Sequence, residues 1–319
     1  MSRISVLHNE AGALAFRAPR ASGDPAACYL GGLTASGRRT MAYRLRFVAR
    51  LFGHADPSGF AWSKLNYAQV VSVRGHLVES GRAPATVNAT LCALVGVARE
   101  AWKLGQLSAE EFARIRSVQR ARGARLPPGR VVGRDEVAAL LGACKADPRG
   151  LCGARDAAVL ALLFGAGLRR CEPCRPEVGA YSAETGELRV VGKGGRERRV
   201  YLAGGARAAL DVWVCARGRA PGPLVAALDR RNRLARPLRG LTPSAVDAIV
   251  RRRASAAGVS GFSTHDARRT FITGLLECGA DVFTVQALAG HASPATTQLY
   301  DRRGDDAKRR AASLVDLPY

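Results

Sequence analysis

A mainly α-helical chain in two domains, the second interrupted by a small antiparallel β-sheet, is the fold the sequence predicts. Three observations carry it. Apolar residues recur three or four apart through most of residues 40–118 and again beyond 131. Between those stretches QRARGARLPPGR, residues 119–130, carries two prolines, two glycines and four arginines with no apolar period, the composition of a linker. In the second half the period switches once, around KGGRER at 193–198, from helical to alternating. A length of 319 residues suits one large domain or two ordinary ones.

Taken in order, residues 1–36 are rich in Ala, Gly and small polar residues and are expected to form a poorly ordered arm. The first helical domain spans 37–118, built from TMAYRLRFVARLF, LNYAQVVSVRGHLVES, PATVNATLCALVGVAREAWKLG and a shorter helix over 109–118. Asn66 is placed to cap the second, Pro84 to open the third and Gly105 to end it. The linker at 119–130 follows, and a second domain covers 131–304. It opens with GRDEVAALLGACK and the more apolar, hence buried, helix GARDAAVLALLFGAGL. Leu188 and Val190, then Val200 and Leu202, flank a glycine turn and predict two paired strands. Helices return over 206–215, 243–257, 264–277 and 283–288, and the tail at 305–319 reads as a further short helix. No internal repeat is visible.

The formal net charge is +23, from 49 Lys and Arg against 26 Asp and Glu. Such a field favours a polyanion, most directly nucleic acid; an acidic protein or an anionic membrane surface is the alternative. Five arginines between Arg230 and Arg239, including Arg230, Arg231 and Arg233, and the triplet from Arg251 through Arg252 to Arg253, are candidate phosphate contacts, or simply solvated charge. No run of 18 apolar residues exists, so no membrane partner is expected. The start, MSRISVLHNEAGALAFRAPR, lacks an apolar signal core, which points to the cytoplasm or nucleoid. Eight scattered cysteines then read as reduced thiols, and the half-site Cys171-Glu-Pro-Cys174 lacks the second pair that structural zinc needs.

Candidate chemistry gathers in a few places. In THDARRTF, His265 and Arg268 stand at i and i+3 on one helix face, able to meet one anion, whereas Arg269 projects elsewhere, toward DNA backbone or solvent. Arg169 follows the apolar helix, and Glu172 could hold it by a bidentate pair, although an ordinary helix-end ion pair gives the same pattern. Lys193 sits in the strand turn, where it could reach a DNA groove, deliver a proton or merely be solvated; no phosphate-loop motif surrounds it. The segment HASPATTQLYDRRG, 291–304, leaves open whether Tyr300 is a buried aromatic or a nucleophile. No carboxylate cluster, HExxH or three-histidine set suggests a metal, and no cofactor is implied. Phosphoryl chemistry by arginines, histidine, lysine and tyrosine is one scheme among several that these parts allow.

Over roughly residues 40–310 the chain resembles the tyrosine recombinase (phage-type integrase) family, including its Xer-like members. GLRRCE at 167–172 resembles the first arginine box, VVGKGGRERRVYL at 190–202 the lysine hairpin, HDARRTF at 265–271 the HxxR box, and LAGHASPATTQLY at 288–300 the final histidine and tyrosine segment. The resemblance implies an N-terminal SAM-like core-binding domain and a catalytic domain of the DNA breaking-rejoining fold, closing as a clamp on duplex DNA. It implies that Tyr300 attacks a scissile phosphate to form a 3′-phosphotyrosyl bond and that Arg169 and Arg268 clamp that phosphate with Glu172 in support. Lys193 would protonate the leaving 5′ oxygen, His265 assist the phenol and His291 hydrogen-bond the phosphate. Neither ATP nor metal would be needed.

The partners implied are double-stranded DNA with paired half-sites and further copies in a tetramer, the tail packing on a neighbour; an accessory protein, and service to a mobile element, are left open. Arg130, Arg196 and Arg198 join the expected DNA contacts. Cys171 and Pro173 depart from the family pattern, and Pro173, with Pro176 near it, is expected to kink or end the helix carrying Glu172. A catalytically impaired DNA-binding protein, a type IB topoisomerase-like relaxing enzyme and a metal nuclease are the rival readings.

Overall fold

The computed structural model describes residues 7–8, 14–15, 23–123, 129–291, 293–300, 309 and 312–313. Among them the architecture is mainly α-helical with two short antiparallel ladders, β1 (Leu7–His8) with β2 (Leu14–Ala15) and β3 (Glu187–Val191) with β4 (Glu197–Tyr201). By internal contacts the chain divides into two compact units, Met1–Leu126 and Pro127–Tyr319. Most of the expected tail, 305–319, lies outside the described residues, as do 124–128 of the linker.

Among its described residues the N-terminal unit holds five α-helices: α1 (Pro25–Gly31), α2 (Ala35–Leu51), α3 (Tyr67–Glu79), α4 (Pro84–Lys103) and α5 (Ala109–Ser117). Asn66 caps α3 in a reciprocal box with Gln69, and Pro84 opens α4. Helix α4 is the spine, packing against the other four, with Leu91, Leu94 and Val97 in the core beside Leu45, Val48 and Val70. The described part of the expected arm, 1–36, is instead structured, holding β1, β2, α1 and the start of α2. Asp24 caps α1 and Pro25 opens it, a start signal hidden by the small residues around it. A tertiary contact then holds the helix: Tyr29 lies against Gly96 so closely that a Cβ there would stand 2.3 Å from its ring.

The second unit contains α6 (Arg134–Lys145), α7 (Gly150–Gly165), the β3–β4 hairpin, α8 (Gly204–Arg217), α9 (Pro243–Ala256), α10 (Thr264–Glu277), α11 (Val282–Ala289) and α12 (Pro294–Gln298). Helix α7 is buried from Ala158 to Leu163 and is packed by α6, α8, α9 and α10. Leu188, Val190, Val200 and Leu202 face this core as the alternation predicts, and the register pairs Leu188 with Val200 and Val190 with Arg198.

Two of the expected phosphate contacts, Arg130 and Arg253, are instead committed inside this unit, while Arg252 remains exposed although one of its nitrogens is paired there. Arg130 forks onto Glu136 at 2.6 and 2.7 Å and donates to the Ser260 carbonyl at 2.7 Å, while its own N–H donates to Asp266 at 2.9 Å. Arg252, with Arg155 and Arg253, converges on the fully buried Asp156; Arg253 also reaches Asp147 at 2.6 Å, so α6, α7 and α9 are stitched together. A run of arginines cannot disclose which of its members meet buried carboxylates a hundred residues away.

Candidate active site

The site is organised by the end of α11. Gly290 terminates that helix with φ 64° and ψ 46°, a left-handed conformation that glycine adopts without steric penalty. The last carbonyls of a helix have no intrahelical donor and carry the negative end of its dipole. Here three consecutive carbonyls each take a different arginine. Arg198 Nε donates to Leu288 O at 3.0 Å, Arg268 Nη2 to Ala289 O at 2.5 Å, and Arg169 Nη2 to Gly290 O at 2.6 Å. The arginines come from β4, from α10 and from the turn after α7.

Glu172 is the counter-charge. It is buried to 1% exposure, and both oxygens are used. One accepts from Arg169 Nη1 at 2.9 Å and Arg198 Nη1 at 3.1 Å; the other accepts from Arg198 Nη2 at 2.7 Å and the Arg169 backbone N–H at 2.8 Å. Burial works to raise its pKa, but the Arg198 fork and the Arg169 donors outweigh it and hold the carboxyl below its ordinary value. Arg268, only 2% exposed, also donates to Gly167 O at 2.6 Å. Burial, with Arg169 beside it, lowers its pKa to about 10, so it stays charged at neutral pH. Among the described residues three guanidiniums face one carboxylate, an excess of two positive charges, since carbonyls satisfy hydrogen bonds without cancelling charge.

Tyr300 follows α12, its N–H donating to Thr297 O at 3.0 Å. Its ring is buried among Ile272, Leu276, Val285 and Ala289, and its hydroxyl stands 3.4 Å from His265 Nε2. The two alternatives posed by the sequence do not exclude each other in geometry: the ring is core, and the hydroxyl lies beside His265. His265 Nε2 is the atom placed to take a phenol proton. Desolvation, then Arg268 and Arg269, lower its pKa, although the residue as a whole remains open to solvent. His291 stacks on Tyr300 with centroids 6.0 Å apart, and its Nδ1 pairs with the Thr297 hydroxyl at 2.9 Å. Desolvation, together with Arg268 and Arg169, brings its pKa down to about 4, so its imidazole is neutral at neutral pH. A cleft of about 770 Å³ opens beside Arg169, Arg198, Gly290 and His291, with Arg196 and Phe283 on its walls.

The structure thus brings Arg169, Glu172, His265, Arg268, His291 and Tyr300 together. Lys193 begins the hairpin turn Lys193–Gly195, and its side chain lies outside the described residues. Three further expectations are corrected. Arg269 does not face outward: it is 4% exposed, its guanidinium carbon 5.7 Å from the Tyr300 ring centroid and its Nη1 donating to Gly129 O at 3.4 Å. Arg198 is no surface contact either, because the fork onto Glu172 and the bond to Leu288 use it. Its alternation along β4 puts it on the face with Val200, which could have signalled an inward side chain. Pro173 breaks no helix, since α7 ends at Gly165 and Glu172 sits in a turn whose N–H donates to Arg169 O at 2.7 Å. Arg196, Arg230, Arg231, Arg233 and Arg251 are exposed. Among the described residues no three His, Cys, Asp or Glu side chains form a metal-binding group, and no helix is long and apolar enough to cross a membrane.

Fold and site define a class: a mainly helical protein with a two-stranded hairpin and a basic site that includes one buried tyrosine ring. The family model described as the phage integrase family matches residues 130–306. The tyrosine recombinase XerC of Corynebacterium efficiens is 33% identical over 235 residues, covering 71% of this chain and 70% of the relative. XerC of Azotobacter vinelandii is 31% identical over 256 residues, covering 80% and 82%. Among solved structures, the Tn1549 transposon integrase in complex with transposon right end DNA gives a TM-score of 0.65 at 14% identity over 91% of this chain and 99% of that one. XerH site-specific recombinase in a post-cleavage complex gives 0.60 at 20% identity, covering 79% and 72%. The chain belongs to the phage integrase family of tyrosine recombinases, among its Xer-like members.

Proposed function

We propose that this protein carries out site-specific DNA recombination by metal-independent transesterification at Tyr300. The observation that carries the reading is the phenol hydroxyl beside His265 Nε2, in a site whose excess positive charge is held by Arg169 and Arg268. Tyrosine at its ordinary pKa of roughly 10 is a poor nucleophile. The lowered pKa of His265 leaves its imidazole unprotonated and able to accept the phenol proton as Tyr300 oxygen bonds to phosphorus. That excess of positive charge suits a phosphoryl group whose charge grows on its non-bridging oxygens. His291, neutral, offers its second ring nitrogen to the same group. The bond to the 5′ oxygen breaks, Lys193 supplies its proton, and a 3′-phosphotyrosyl link remains. A partner strand's 5′-hydroxyl then reverses the step.

Around this chemistry the N-terminal helical unit acts as the SAM-like core-binding domain and the second unit as the catalytic domain. Four copies assemble on paired half-sites in the nucleoid, with the exposed Arg196, Arg230, Arg231, Arg233 and Arg251 on DNA phosphates. The test is recovery of protein-linked DNA after denaturation from sheared host DNA, followed by sequencing of the attached ends. Wild-type protein yields a discrete set of ends at which the 3′ terminus is blocked, and Tyr300→Phe yields none. Equal recovery from both proteins, or none from wild type, overturns the reading.

A further inference from the structure

Arg198 is the one guanidinium of the cluster to which the reaction above gives no part. It is also the most heavily bonded. Its side chain is 11% exposed, its two terminal nitrogens fork onto both oxygens of Glu172 at 3.1 and 2.7 Å, and its Nε donates to Leu288 O at 3.0 Å. It also fills the space that the missing side chain of Gly290 leaves, where a Cβ would stand 3.0 Å from Arg198 Cδ. One residue of β4 therefore touches two other parts of the site: the turn that carries Arg169 and Glu172, and the helix end that leads into His291. It lies five positions beyond Lys193, in the strand that leaves the hairpin turn.

We infer that Arg198 is a positioning residue for strand cleavage: by forking onto Glu172 and tethering Leu288, it fixes the lysine hairpin, Arg169 and His291 in one frame. This rests on the function proposed above. The physical basis is the difference between arginine and other cations. A planar guanidinium can bind both carboxylate oxygens in parallel and still donate through Nε to a third group, whereas an ammonium acts as a point charge. With Arg198 in place, Glu172 is held from two sides, and its remaining capacity points Arg169 at Gly290. Without it, one face of a buried carboxylate loses its donors and the hairpin loses its anchor. Arg169 is then free to follow Glu172, and a displacement of about 1 Å in such a group can cost about 100-fold in rate.

The rival role, direct binding to DNA, makes different predictions. Removing a phosphate-binding side chain weakens affinity across sequences and lowers the salt slope by about 1. Removing a positioning residue slows chemistry on DNA that is still bound. The experiment uses the full-length protein and a nicked substrate carrying a cleavage site recovered from wild-type adducts, so that cleavage is trapped. It compares wild type with Arg198→Gln, Arg198→Lys, Glu172→Gln and the Arg198→Gln/Glu172→Gln double variant. Single-turnover adduct formation, half-site affinity against salt, and thermal melting are read for each.

The expected result for Arg198→Gln is adduct formation slower by about 100-fold. Its half-site affinity and salt slope stay at wild-type values. Arg198→Lys restores only part of the rate, because it keeps the charge and loses the fork. The double variant is no slower than the slower single variant, as for two residues acting through one pair. If Arg198→Gln melts too low to assay, the Arg198→Lys rate decides the matter by itself. A wild-type rate in that variant overturns the inference, as does a reduced salt slope or multiplicative loss in the double variant. Absence of adduct from wild-type protein is a failure of the recombinase reading instead, and is seen before any variant is made.

Discussion

Two arginine clusters in the second unit use the same side chain to opposite ends. Around Asp156, the buried guanidiniums of Arg155 and Arg253 meet two buried carboxylates, Asp156 and Asp147, and the additional arginines, Arg149 and Arg252, reach out to solvent. The buried part is charge-balanced and closed. Around the end of α11, Arg268 is buried with the nearly buried Arg198 and with Arg169 beside it, and among the described residues a single carboxylate, paired with Arg169 and Arg198, faces all three. Backbone carbonyls complete their hydrogen bonds but leave the charge. The first cluster is a strut, and the second is a socket for an anion. Counting arginines does not distinguish them; the nature of the acceptors does.

That contrast can be broken by substitution. The largest effect is expected at Asp156→Ala, which strands Arg155 as a buried unpaired charge and leaves Arg253 with Asp147 alone, and it should lower stability by about 3–5 kcal/mol. Denaturant unfolding measures it, and a loss under about 1 kcal/mol would mean that solvent reaches the cluster. At the socket, Arg268→Gln should do the reverse. Adduct formation falls by about 10²–10³-fold, as for loss of one preorganised donor to a developing oxyanion, while unfolding free energy changes by no more than about 1 kcal/mol. A collapse of stability with the rate intact would erase the distinction.

Acid offers a third probe. His291 has its pKa lowered from 6.5 to about 4 by desolvation and by Arg268 and Arg169. Between those two values the unfolded chain binds the proton and the folded chain does not, so stability falls as pH drops through that window and is fully present above it. His291→Gln should flatten the melting temperature against pH there. DNA phosphate in the socket should raise the His291 pKa, so binding takes up protons at about pH 5, measurable by calorimetry in buffers of different ionisation enthalpy. The smallest effects belong to the surface. Arg196→Ala or Arg251→Ala should leave melting unchanged within about 0.5 kcal/mol and reduce the salt slope of DNA binding by about 1.

Much of the site was legible because its parts are local. His265 and Arg268 share one turn of helix, and the Arg169–Glu172 pair spans three residues. The hairpin was legible from alternation alone. What escaped was long-range. Arg130, Arg198, Arg253 and Arg269 look like surface arginines in the chain, yet each finds acceptors 6 to 140 residues away. Helix α1 escaped for a similar reason, since its stability rests on Tyr29 meeting Gly96 in α4.

By itself the sequence determined the helical class, the place of the strand pair, the excess of positive charge and the chemical types available to the site. Periodicity, turn residues and net charge are properties of neighbours in the chain and need no fold to be read. Only the tertiary structure decided which arginines are struts, which are held at the pocket and which remain exposed. That choice depends on carboxylates and helix-end carbonyls brought close by packing, and no local pattern encodes their distance.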